Sequence, residues 1–184
     1  DPAADLLYVG TGNGGPWMGD QRPGDNLYVA STVAIDVATG QIKGHFQYNP
    51  NESWDWDEVS PPILVDYQRG GRAVKGLINV ARNGYLWFLE RSAGAIRFVE
   101  GTPFVTNNVY TRLDPRTGRP EVDPARKPGT GRTAEFCPSA HGGCTKSRTS
   151  SHEGQGHSRL SMSALLPAMR DRSVPNCHDG GTHH

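Results

Sequence analysis

The stretch "VAIDVATGQIKGHF", residues 33–46, decides the fold because it recurs. "WFLERSAGAIRF" (87–98) echoes it, and "YTRLDPRTGRP" (110–120) is a fainter copy. The shared plan is an apolar strand, an acidic residue, two loosely specified residues, a small residue followed by glycine, and a second strand. Physically this is a hairpin, with Asp36 and Asp114 able to cap the turn backbone through their side chains. Repeats of this kind at a spacing of roughly 40 residues point to propeller blades. A plain β-meander with similar turns is the alternative.

Outward from these hairpins the pattern continues. "LLYVG" (6–10), "LYVASTVAID" (27–36), "KGLINVA" (75–81) and "YLWFLE" (85–90) are rich in β-branched and aromatic residues and read as strands. Between strands lie "GNGGP", "RPGDN", "DVATG", "QRGGR" and "RNG", which read as turns. No segment in this part carries a helical period with caps. The expectation is an all-β chain.

Composition agrees with that expectation. The 184 residues include 23 glycines and 14 prolines and are only 35% hydrophobic, a profile of turn-rich β structure or of a folded part joined to a disordered one. Nineteen basic and nineteen acidic residues balance, so no overall field draws in nucleic acid or an acidic membrane surface. No apolar run reaches the roughly 18 residues a membrane-spanning helix needs. "DPAADLLYVG" carries no signal peptide and does not begin with methionine, so the chain reads as a fragment or a processed product.

The last quarter differs in kind. Phe136 is the final aromatic residue, and 144–184 is rich in Ser, His, Arg and Gly without a strand period. That segment is expected to be poorly ordered in isolation. His152, His157, His178, His183 and His184 match no metal-ligand spacing and read as solvated. Cys137, Cys144 and Cys177 lack zinc-site spacing, and their odd number leaves one thiol free or paired outside the chain; no defined disulfide is expected.

The densest chemical cluster is "NESWDWDEV" (51–59), with Glu52, Asp55, Asp57 and Glu58 interleaved with Trp54 and Trp56. On a strand, Asp55 and Asp57 would share one face and the tryptophans the other. Like-charged neighbours repel unless one is protonated or a cation sits between them, and a hard cation such as Ca²⁺ suits oxygen ligands. An acidic loop in water is the competing reading. "GTGN" (10–13) taken alone is a turn, with Asn13 bonded to its own backbone. "ARNG" (81–84) reads as a type I′ hairpin turn with Arg82 in solvent.

Taken together, "LLYVGTGNGGPW", "RPGDNLYVASTVAIDVATG", "WDWD", "ARNGYLWFLER" and "FCPSAHGG" resemble pyrroloquinoline-quinone-dependent alcohol dehydrogenases, the bacterial methanol and ethanol dehydrogenases. Five segments agree in order and approximate spacing, over residues 5 to about 143. The resemblance implies about three blades (1–143) of an eight-bladed propeller, followed by a non-matching tail at 144–184. It implies that Asn13 and Asp55 are metal ligands and that Asp55 is also the base acting on the alcohol. Arg82 would contact the quinone and Trp17 would wall the substrate pocket. Asp57 matches an extra carboxylate typical of lanthanide-using members, so the implied metal is Ca²⁺ or a lanthanide. The resemblance further implies a small primary alcohol as substrate, an aldehyde as product, a cytochrome c-type electron acceptor and the periplasm.

Departures set limits on this resemblance. The family usually has tryptophan where Gly44 stands, and further metal and cofactor contacts belong upstream of Asp1. After "CPSAHGG" the sequence "CTKSRTSSHEG" has no counterpart in the family, as a shifted reading frame near residue 144 would produce. Two other functional classes are a non-catalytic β-propeller scaffold or binding protein and an inactive truncated product. A scaffold has no reason to keep Asn13, Asp55 and Arg82 together.

Overall fold

A computed structural model describes residues 1–139 of the chain, and among these it is all β apart from two single-turn 3-10 segments, Gly19–Gln21 and Pro124–Arg126. The strands fall into three consecutive antiparallel sheets. The first contains β1 (Leu6–Gly10), β2 (Ser31–Asp36) and β3 (Ile42–Gln47), in that order. The second is a four-stranded meander of β4 (Ile63–Arg69), β5 (Arg72–Val80), β6 (Tyr85–Ser92) and β7 (Ala95–Pro103). The third pairs β8 (Tyr110–Leu113) with β9 (Pro120–Val122). The expected tail at 144–184, with its histidines and the junction near residue 144, lies outside the described residues.

Two of the three hairpins close on the expected chemistry. Asp36 Oδ1 accepts from the Thr39 amide at 2.8 Å and its hydroxyl at 2.7 Å, and Asp114 Oδ1 does the same for Thr117 at 2.7 and 2.9 Å. Each turn then ends on a glycine with positive φ, Gly40 at 71° and Gly118 at 72°. The middle copy closes differently: Ser92 pairs with Ala95 across only Ala93 and Gly94, both at positive φ, which is the two-residue I′ geometry. There Glu90 lies in the strand, so no acidic cap is formed.

"LYVASTVAID" enters the sheet later than expected, at Ser31. The amides before it are diverted: Val29 donates to Asn26 O at 2.8 Å and Ala30 donates to Gly12 O at 2.9 Å. The first closes a local turn, and the second holds the 10–13 loop in place of a strand ladder. Cys137 is disulfide-bonded, against the expectation from the cysteine count.

The core lies between the first two sheets and under the acidic segment. Trp54, Trp56 and Trp87 are fully buried. The Trp54 and Trp56 rings stack at 5.1 Å, and the indole N–H groups donate to Arg126 O at 2.7 Å and Pro138 O at 3.1 Å. Phe46 of β3 meets Trp87 of β6 at 5.4 Å and Phe98 of β7 at 6.2 Å, so aromatic contacts join the sheets.

At Gly44 the same seam narrows to backbone. A Cβ there would stand 2.2 Å from Gly94 O, on the tight turn between β6 and β7. A carbonyl in a hairpin backbone cannot retreat as a flexible side chain does. Gly44→Ala is therefore expected to cost about 1–3 kcal/mol of unfolding free energy, as overpacking does. Urea unfolding measures this, and an unchanged midpoint would show that the seam yields freely.

Candidate functional site

The loop after β1 carries Asn13, and its course is fixed by its neighbours. Thr11 N–H donates to Ser31 O at 2.9 Å, and Glu58 N–H donates to Thr11 O at 3.1 Å. The loop thus lies between β2 and the acidic segment. A Cβ on Gly10 would come within 1.9 Å of Glu58 O, so the first glycine of "GTGN" allows this approach.

The acidic segment 51–59 is not a strand, contrary to the alternation argument, although the alternation of its burial survives. Trp54, Trp56 and Glu58 are buried, whereas Asp55 and Asp57 are half-buried on the other side. Asp55 has φ 61°, a left-handed conformation outside any strand, which Asp tolerates better than most residues. Glu52 sustains this irregular backbone: it is fully buried, and its Oε1 accepts from Trp54 N at 2.5 Å and Trp56 N at 3.0 Å. Burial outweighs those two bonds and pushes the Glu52 carboxyl up to about 7.

Four of the five sequence-predicted residues meet. Asn13 Nδ2 donates to Asp55 Oδ1 at 2.5 Å, and the Asn13 backbone N–H donates to Asp57 Oδ1 at 2.8 Å. Arg82 Nη1 stands 3.3 Å from Asp57 Oδ2 and 3.5 Å from the Asp55 carbonyl. Asn13 is therefore not bonded into a local turn, and Arg82 is not a free solvated charge. Trp17 lies half-buried on the same loop as Asn13, four residues on.

Arg82 stands on a turn whose type differs from expectation. Gly84 alone has positive φ, at 82°, and its N–H donates to Ala81 O at 3.0 Å, so the turn is not I′. The reason is the Asn83 side chain, which is fully buried. Its Oδ1 accepts from Tyr85 N at 3.1 Å and Trp87 Nε1 at 3.3 Å, and its Nδ2 donates to Asn49 Oδ1 at 3.0 Å. Tyr110 O–H bonds to Asn49 Oδ1 in the same cluster. Glu58 lies in this layer, with Asn79 Nδ2 at 3.4 Å from Oε2, and burial pushes its carboxyl up to about 8. Sequence reasoning assigned no role to Asn49, Asn83 or Tyr110. Asn83 was read as a turn residue, and nothing in the sequence marked it as buried.

The donor set suits a hard cation. Asn13, Asp55 and Asp57 offer amide and carboxylate oxygens, which Ca²⁺ and larger trivalent ions prefer. The Asp57 carboxylate faces Arg82, while the Asp55 carboxylate accepts from the neutral Asn13 amide, so a bound cation would add positive charge between the two acids. Among the described residues no three His, Cys, Asp or Glu side chains converge, so the acids at this site number two.

Residues 1–110 match the family described as PQQ, the glucose/ethanol/alcohol dehydrogenase β-propeller domain. The chain is 42% identical over 130 residues to the quinoprotein alcohol dehydrogenase PedH of Pseudomonas putida, an alignment covering 70% of this chain and 21% of that protein. It is 38% identical over 123 residues to the quinohemoprotein alcohol dehydrogenase of Comamonas testosteroni, covering 65% of this chain and 17% of that one. In structure it resembles a europium-containing methanol dehydrogenase with a TM-score of 0.71 and 34% identity, over 78% of this chain and 25% of the other. The chain thus spans about a fifth of the length of the curated relatives it matches.

Proposed function

This chain belongs to the PQQ-dependent glucose/ethanol/alcohol dehydrogenase β-propeller family, and from that premise we propose that it is part of a periplasmic enzyme oxidising small primary alcohols to aldehydes. The observation that carries the reading is the convergence of Asn13, Asp55, Asp57 and Arg82 from three separate segments. A scaffold propeller would have no use for that convergence. Residues 1–143 would supply about three blades of the proposed propeller.

Asn13, Asp55 and Asp57 would hold a Ca²⁺ or lanthanide ion, and Arg82 would face the oxygens of pyrroloquinoline quinone. When bound, pyrroloquinoline quinone would supply the hydride acceptor for the alcohol and the metal would supply Lewis acidity. Asp55 takes the alcohol hydroxyl proton as general base. Arg82 offers several guanidinium donors toward the site from beside the Asp57 carboxylate. Trp17 forms an apolar wall that excludes water and limits substrate size. A cytochrome c-type protein is the proposed electron acceptor.

Reconstitution with the quinone and either Ca²⁺ or La³⁺, followed by dye-linked oxidation of ethanol, tests this reading. The 184-residue chain is expected to show no turnover, and the intact enzyme to show turnover that requires both quinone and metal. An intact enzyme saturated with both but inert toward primary alcohols would sink the proposal.

A further inference from the structure

One guanidinium, that of Arg22, ties together two of the three segments from which the site is built. Arg22 Nε donates to Pro16 O at 2.5 Å, and Nη2 donates to Trp17 O at 3.0 Å and to Glu52 O at 2.6 Å. Nη1 donates to the Asn26 side chain. The same group lies over Gly14, where a Cβ would come within 2.6 Å of Nη1 and 2.7 Å of Cζ. Gly14 follows Asn13 directly, and Glu52 is three residues before Asp55.

Neighbouring bonds lock the far side of the loop. Asn51 Nδ2 reaches Gly19 O at 3.1 Å, Arg22 O at 2.6 Å and Gly24 O at 2.9 Å, while Gly19 N–H donates to Ser53 Oγ at 2.9 Å. Between these anchors, residues 15–18 belong to no helix or strand. The Trp17 backbone is therefore placed by Arg22.

We propose that Arg22 is a positioning residue that sets the distance between the Trp17 wall and the acidic segment, and through it the size of alcohol accepted. This rests on the functional reading above. Lysine keeps the charge but offers one compact ammonium, which cannot serve four acceptors spread around a planar fork. Arg22→Lys therefore releases the wall without removing the charge. No atom of Arg22 needs to touch substrate.

The test compares the intact wild-type enzyme with Arg22→Lys, and with Arg112→Lys as an exposed control that pairs with Glu121. Two readouts are taken: amide hydrogen exchange over the whole chain, and kcat/KM for ethanol and for 1-hexanol. In Arg22→Lys, exchange is expected to rise at least tenfold at residues 14–18 with β5 and β6 unchanged. The ethanol-to-hexanol ratio of kcat/KM is expected to shift at least fivefold. Unchanged exchange at 14–18, or a rise that extends to β5 and β6, overturns the positioning role. A local rise with both alcohols scaled equally overturns the link to substrate size. A wild-type enzyme without alcohol turnover overturns the functional reading and the size claim with it, while the exchange data still decide whether Arg22 holds the loop.

Discussion

Asp55→Asn in the intact enzyme is expected to lower kcat by about 10²–10⁴-fold, the range a positioned general base contributes. Asparagine is the informative replacement because the backbone there is left-handed, at φ 61°, and asparagine tolerates that region. Its side-chain oxygen can still accept from Asn13 Nδ2, so the bond seen at 2.5 Å keeps an acceptor. What is lost is basicity and one negative charge. Alanine would instead remove the acceptor and confuse a structural loss with a chemical one. Steady-state kinetics with saturating quinone and metal, together with an unfolding curve, make the measurement. A kcat within tenfold of wild type at unchanged stability would show that another group takes the proton.

Glu52→Gln is expected to stabilise the metal-free protein at pH 8 by up to about 3 kcal/mol and to leave stability at pH 4 unchanged. Burial raises the Glu52 carboxyl from 4.5 to about 7, and every tenfold change in its proton affinity corresponds to about 1.4 kcal/mol. Below pH 4.5 the group is protonated in both states and folding carries no charge penalty. Between 4.5 and 7 the unfolded chain has released its proton while the folded chain retains it, so stability falls as pH rises through that window. Above 7 the buried charge is formed and the loss is complete. Glutamine offers the same acceptor to Trp54 N and Trp56 N without the titration. Urea unfolding from pH 4 to 9 reads the difference between the two proteins, which cancels the parallel contribution of Glu58. Identical pH slopes would refute the assignment.

Asp36 and Asp114 were legible as turn caps because the bonds they make reach only three residues along the chain. The strand interiors were legible for a similar reason, since β5 and β6 carry dense β-branched and aromatic runs. Asn13, Asp55 and Arg82 were legible only as a set. Each alone fits an ordinary turn, and Asn13 meets Asp55 across 42 positions of sequence. Local reasoning failed where long-range partners overrode it. Asn83-Gly84 has the composition of an I′ turn, yet Asn83 is pulled inward by Asn49 and Trp87. "WDWDEV" alternates as a strand does, yet Glu52 collects two of its amides and no ladder forms. Arg22 was indistinguishable from a surface charge, because its acceptors are carbonyls, and a carbonyl is present at every position of a sequence.

The bare contact between Gly44 and Gly94 has a consequence for the whole ring. In a closed propeller the wedge angles between successive blades must add up to one full turn. Where a side chain separates two blades, its thickness sets the local wedge. Here, beside the aromatic contacts of Phe46, β3 also meets the turn before β7 through backbone at Gly44, and that contact cannot be widened by choosing another rotamer. A change of curvature during closure is then taken up more easily at junctions spaced by side chains than at this one. Asn13 is borne on one of those sheets and Arg82 on the other. Their relative placement thus leans on a joint made partly of main chain, which works as a distance ruler.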